Sequence, residues 1–113
     1  MIAFRLDANE KIATGHMMRS LAIAESCRQK GQTCIFVLSE EKDVTRITEN
    51  GFEYIVLNTK WDDKADELPV IKKWISTRND LDLLIVDSYQ VDGKYLSELN
   101  KLTPVMYLDD MEL

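Results

Sequence analysis

Histidine, cysteine, proline and glycine are scarce in these 113 residues, with one, two, two and four copies. Cys27 and Cys34 lack CxxC spacing and read as two reduced thiols in or near the core of a cytoplasmic protein. Lysine and arginine form no run, the net charge is −6 and the isoelectric point is about 4.7. That balance leaves no basic footprint for a nucleic-acid backbone. Apolar runs reach only about five residues, against the roughly 20 that a membrane span needs. Arg5 and Asp7 follow directly on Met1–Phe4, so no secretory signal is expected. Neither GxGxxG nor GxxxxGK[ST] occurs, which removes two common phosphate-cradling loops. No linker, repeat or low-complexity tract is evident. Length and the apolar fraction of 45% suit one soluble domain whose core needs no disulfide or metal.

What is present is an alternation of strand and helix patterns. Met1–Arg5 reads as a strand, Leu6–Ala13 as a loop, Thr14 as an N-cap and Gly15–Lys30 as a helix stopped by Gly31. Met17, Leu21, Ala24 and Arg28 share a stripe of that helix, which Met18, Ala22 and Ile23 widen. Thr33–Leu38 is a continuous apolar strand, Lys42–Asn50 a short helix closed by Asn50-Gly51, and Glu53–Leu57 a third strand. A longer helix opens at Asp62 or Asp63 and runs to about Thr77, burying Leu68, Ile71, Trp74 and Ile75. Pro69 moves its expected start towards Glu67, since a mid-helix proline costs about 3 kcal/mol. Asp82–Asp87, Gly93–Leu102 and Val105–Asp109 complete a strand, a helix and a fifth strand. Trp61 reads as a loop residue over the core. The acids Asp62, Asp63, Asp66 and Glu67 suit a helix N-terminus without further explanation.

Apolar strands alternating with helices predict an α/β fold: a doubly wound, mostly parallel five-stranded sheet of order 3-2-1-4-5. Ligands of such sheets sit at the carboxyl ends of the strands where the order switches, here between the first and fourth. That position brings the loop from Asp7 to His16 beside Asp87, Ser88 and Tyr89, with Asp109 and Asp110 one strand further out.

His16 is therefore the main candidate. A helix N-terminus and Arg19, one turn on, both favour its neutral form, which can act as a general base. Gly15 removes a side chain where a ligand approaches, and the N–H groups of Gly15 and His16 can receive an anion. The plain alternative is a histidine satisfied within its own loop. A phosphoacceptor receiver is excluded by placement, because its acidic pair follows the first strand whereas Asp109-Asp110 follows the fifth. No ligand spacing points to a metal and no cofactor is called for. Asp87 has a second reading as architectural support, accepting hydrogen bonds from backbone donors of the first loop.

The string RxDxxxxIxxGHxxRxLxLA, carried by Arg5, Asp7, Ile12, Gly15, His16, Arg19, Leu21 and Ala24 with Ile23 at the second leucine, resembles the opening of PseG-type UDP-sugar hydrolases. These belong to pseudaminic acid biosynthesis and are related to spore-coat polysaccharide glycosyltransferases. Ile85–Tyr89 and Tyr107–Met111 resemble later segments of the same family. The resemblance implies the N-terminal, Rossmann-like half of a GT-B fold, with the C-terminal domain that holds UDP outside this chain. It implies a UDP-sugar substrate and a water activated by His16. Arg5, Asp7, Arg19 and Asp87 are then candidate substrate-binding residues, together with Ala13, Thr14 and Gly15 of the loop and Tyr89 opposite. Where the family reads IGxGH, this chain has Ala13. A glycosyltransferase and a non-catalytic binding module are the alternative expectations.

Overall fold

The computed structural model describes residues 1–7, 14–41, 44–60, 63–88 and 91–108, with 14–16 described by their backbone alone. Five strands, β1 (Ile2–Leu6), β2 (Cys34–Leu38), β3 (Glu53–Val56), β4 (Leu83–Asp87) and β5 (Val105–Tyr107), pair in the order β3-β2-β1-β4-β5. All four pairings are parallel, with Phe4 level with Phe36 on one side and Ile85 on the other. The helices are α1 (Thr14–Gln29), α2 (Thr45–Glu49), α3 (Lys64–Ser76) and α4 (Gly93–Asn100). The expected doubly wound sheet is the observed one.

Strand alternation sorts the core into two layers. Ile2, Phe4, Leu6, Phe36, Leu38 and Ile85 face α1 and α2, meeting Met17, Leu21, Ala24, Ile47 and Phe52. Phe36 stacks on Phe4 at 5.2 Å and meets Phe52 edge-on at 5.5 Å. Ala3, Val37, Leu84 and Val86 face α3 and α4, meeting Ile71, Ile75, Tyr95 and Leu99. Leu68 and Trp74 pack on this second layer while remaining half-buried.

Both glycine stops form the six-residue closure of a helix C-terminus. After α1 the N–H of Gly31 bonds Arg28 O and that of Gln32 bonds Cys27 O, each at 3.0 Å. After α2 the N–H groups of Gly51 and Phe52 bond Thr48 and Ile47 in the same way, and Phe52 packs in the same core cluster as Ile47. Gly31 and Gly51 adopt φ of 87° and 79°, the left-handed region where a Cβ is strained.

Several boundaries differ from expectation. Thr14 is the first residue of α1 rather than its cap, and α2 begins at Thr45, with residues 42–43 outside the described set. α3 begins at Lys64, capped by Asp63, whose carboxylate accepts from the N–H of Asp66 at 3.0 Å. Pro69 thus lies inside the helix instead of in its first turn. The carbonyl it leaves unpaired belongs to exposed Ala65, where water can satisfy it. Met18 does not widen the buried stripe of α1. It is 50% exposed, and Ser20 is buried instead. Trp61 lies outside the described residues.

Candidate functional site

β1 and β4 are neighbours, yet the chain leaves them towards opposite faces, α1 following β1 and α4 following β4. The side chains at their carboxyl ends alternate accordingly. Leu6 faces α1, so Arg5 and Asp7 point towards α3 and α4. Val86 faces α3 and α4, so Asp87 points towards α1 and Ser88 back again.

Arg5 is a charge at the centre of an apolar layer, with no exposed surface. Its guanidinium grips Glu67 of α3 with two parallel bonds, Nε to Oε2 at 3.0 Å and Nη2 to Oε1 at 2.5 Å. Nη1 donates to Leu6 O at 2.7 Å and to Asp7 Oδ1 at 3.0 Å. The network extends at both ends. Tyr95 of α4 donates its hydroxyl to Glu67 Oε2, and Ser88 donates to Asp7 Oδ2. Lys64, also buried, sits 3.9 Å from Glu67 Oε1. Two cations and two carboxylates therefore balance inside this layer.

Burial works against the Arg5 cation, but the bonds to Glu67 and the charge of Asp7 outweigh it and hold its pKa above the usual value. Burial first, and then the charge of Glu67, push the Tyr95 phenol well above its ordinary range. Tyr95 is accordingly a neutral hydrogen-bond donor at any working pH.

On the opposite face Asp87, with no exposed surface, receives Arg19 through Nη2 to Oδ1 at 2.7 Å and Nε to Oδ2 at 3.3 Å. Ser20 adds a third bond to Oδ2 at 3.1 Å. Arg19 remains 35% exposed and so reaches solvent at the rim. His16 lies one turn before Arg19 and Ser20 on the helix, so its position belongs to the edge of α1 nearest the end of β4.

The structure thus brings together Arg5, Asp7, Arg19 and Asp87 at the switch point. Arg5, Asp7 and Asp87 are 0%, 3% and 0% exposed and bind one another's elements, so their side chains offer almost no surface to a ligand. Asp87 holds side chains of α1, while the loop whose backbone donors its second reading invoked lies outside the described residues. The backbones of Thr14, Gly15 and His16 open α1. Their side chains, together with Ala13, Tyr89, Asp109 and Asp110, lie outside the described residues.

Sequence reasoning missed Glu67, Tyr95 and Lys64. Their signal was periodic: Lys64, Glu67, Ile71 and Ile75 fall on one helical face, as do Tyr95 and Leu99. Among the described residues no cluster of His, Cys, Asp or Glu suits a metal ion. A groove of about 600 Å³ between α1 and α2, lined by Met18, Leu21, Arg46 and Glu49, contains none of the predicted site residues.

The strand order and the layers on both faces define a Rossmann-like α/β domain. No protein-family model, curated protein or solved structure matches the chain.

Proposed function

We propose that this domain is the N-terminal half of a nucleotide-sugar hydrolase that removes UDP from an amino-deoxy sugar. His16 is its general base. The observation that carries the reading is the position of Gly15-His16 on the first turn of α1, directly at the β1/β4 switch point, with Arg19 tied to Asp87 one turn later.

A neutral imidazole at that helix N-terminus accepts a proton from water as its oxygen attacks the anomeric carbon. The bond to the nucleoside diphosphate breaks, and UDP leaves with the electron pair. Diphosphate is a good leaving group, so the remaining demands are placement of the water and stabilisation of charge. The N–H groups at the start of α1, which an α-helix does not pair within itself, and the exposed part of Arg19 offer that charge stabilisation. A facing domain supplies the UDP contacts in this reading.

The test is UDP release from a panel of UDP-linked amino-deoxy sugars, measured with the facing domain present. His16→Ala is expected to slow release by about 10²–10⁴-fold, the usual worth of general acid–base catalysis. An unchanged rate removes the base assignment. Release that depends on an added sugar acceptor assigns the domain to a glycosyltransferase instead.

A further inference from the structure

The two thiols of the chain lie outside the candidate site, and the fold brings them together. Cys27 occupies the last turns of α1, half-buried at the edge of the core. Cys34 opens β2 and is buried. The connection between them turns sharply, because Lys30 and Gln32 both donate their N–H groups to Cys27 O, at 3.1 and 3.0 Å. That turn delivers the Cys34 sulfur onto the last turns of α1, where it lies 3.7 Å from Ala24 O. Ala24 and Cys27 are one turn apart on the same helical face, and Cys27 packs against the core cluster that contains Cys34, so the fold sets both thiols at one corner of the core. Cys27 is partly exposed, Cys34 is buried, and neither is in a disulfide.

We propose that Cys27 and Cys34 are a redox-active pair that closes to a disulfide by exchange with a low-molecular-weight disulfide such as oxidised glutathione. In the first step the Cys27 thiolate attacks one glutathione sulfur and expels the other as a thiolate, leaving a mixed disulfide on Cys27. In the second, Cys34 loses its proton, attacks the Cys27 sulfur and expels the second glutathione thiolate. Two protein thiols are oxidised and one glutathione disulfide is reduced to two thiols. The pair lies at the end of α1 opposite His16, so the bond ties helix to sheet without touching the rim.

The second step carries a signature. Burial, reinforced by the neighbouring Cys27, pushes the Cys34 thiol up to about 11, against the opposing pull of the Met1 ammonium just ahead of β1 and Arg28 on α1. Closure through a thiolate so scarce at neutral pH accelerates about tenfold per pH unit between roughly pH 7 and 9.

The experiment treats the folded chain with oxidised glutathione and follows intact mass with time. The parent is expected to pass through a single glutathione adduct and end about 2 Da lighter, with no adduct and no free thiol. Cys34→Ser, its fold verified by circular dichroism, is expected to stop at the adduct. Cys27→Ser is expected to remain unmodified, because Cys34 is shielded. Dithiothreitol should return the parent to its starting mass. A parent that keeps glutathione on Cys27, stays reduced throughout, or loses the 2 Da only in denaturant overturns the proposal.

Discussion

Glu67→Gln perturbs the structure where its balance of charge is tightest. The carboxylate supplies two of the bonds to Arg5 and receives the Tyr95 hydroxyl, and Arg5 and Glu67 have no exposed surface. A buried pair contributes little beyond an apolar replacement, because desolvation offsets attraction, but removing one partner leaves an uncompensated charge. That loss costs about 3–5 kcal/mol, a large share of the roughly 5–15 kcal/mol that stabilises a domain. Asp7 still holds Nη1, which places the glutamine variant towards the lower end of the range. Each kcal/mol moves the melting temperature of a domain this size by about 4 °C, so the lower end of the range corresponds to a fall of about 12 °C. Urea unfolding followed by circular dichroism reads the free energy directly. Arg5→Met combined with Glu67→Met should recover much of the loss, since both charges go together. A Glu67→Gln variant within about 1 kcal/mol of the parent would refute the reasoning, because it would mean that water compensates Arg5.

Two further outcomes follow from other parts of the fold. Asp87→Ala removes the acceptor of the Ser20 hydroxyl and of two Arg19 bonds. Because Arg19 keeps a third of its surface in water, the expected cost is about 1–3 kcal/mol, with faster hydrogen exchange confined to the first turns of α1. Uniformly faster exchange would show that Asp87 supports the whole core and does not tether that helix end. Glu98 sits below its ordinary carboxylate range, first through the hydrogen bond from Lys101 and then through that from Lys72. A lowered carboxylate stabilises the fold above its unfolded pKa and loses that contribution as pH falls through the folded value. Glu98→Gln should therefore lower the melting temperature slightly at pH 7 and not at about pH 2.5, and added salt should shrink the difference. An effect as large in acid as at pH 7 would contradict the lysine pairing.

The fold was readable because its signals are local. Apolar runs such as Cys34–Leu38 and Leu83–Asp87 mark strands covered on both faces, and Gly31 and Gly51 mark helix ends whose left-handed backbone only glycine adopts easily. Boundaries shifted where two local rules competed. At α3 the capping preference of Asp63 favoured an early start and Pro69 a late one, and the observed helix takes the early start, with the Asp63 carboxylate bonded to the Asp66 N–H. That same ambiguity hid Glu67. Without a fixed helical phase, nothing distinguishes it from Asp62, Asp63 and Asp66. With the start at Lys64, it alone of the four falls in line with Ile71 and Ile75.

Arg5 shows why the site was only partly legible. Its resemblance to a ligand-binding position rests on the spacing of Arg5, Asp7 and His16, and spacing along a strand carries no information about which layer a side chain enters. Strand parity does. Residue 4 stacks on Phe36 in the α1 layer, so residue 5 must enter the α3 and α4 layer, where a lone guanidinium is untenable without carboxylates. Parity likewise sends Asp87 to α1 and Ser88 to Asp7. The polar residues at the switch point therefore divide into two tethers on opposite faces of one strand pair, both fully engaged before any ligand arrives. Of the described parts of this rim, the backbone that opens α1 and the exposed part of Arg19 are what a ligand would meet, and the buried Asp87 holds that Arg19 in place.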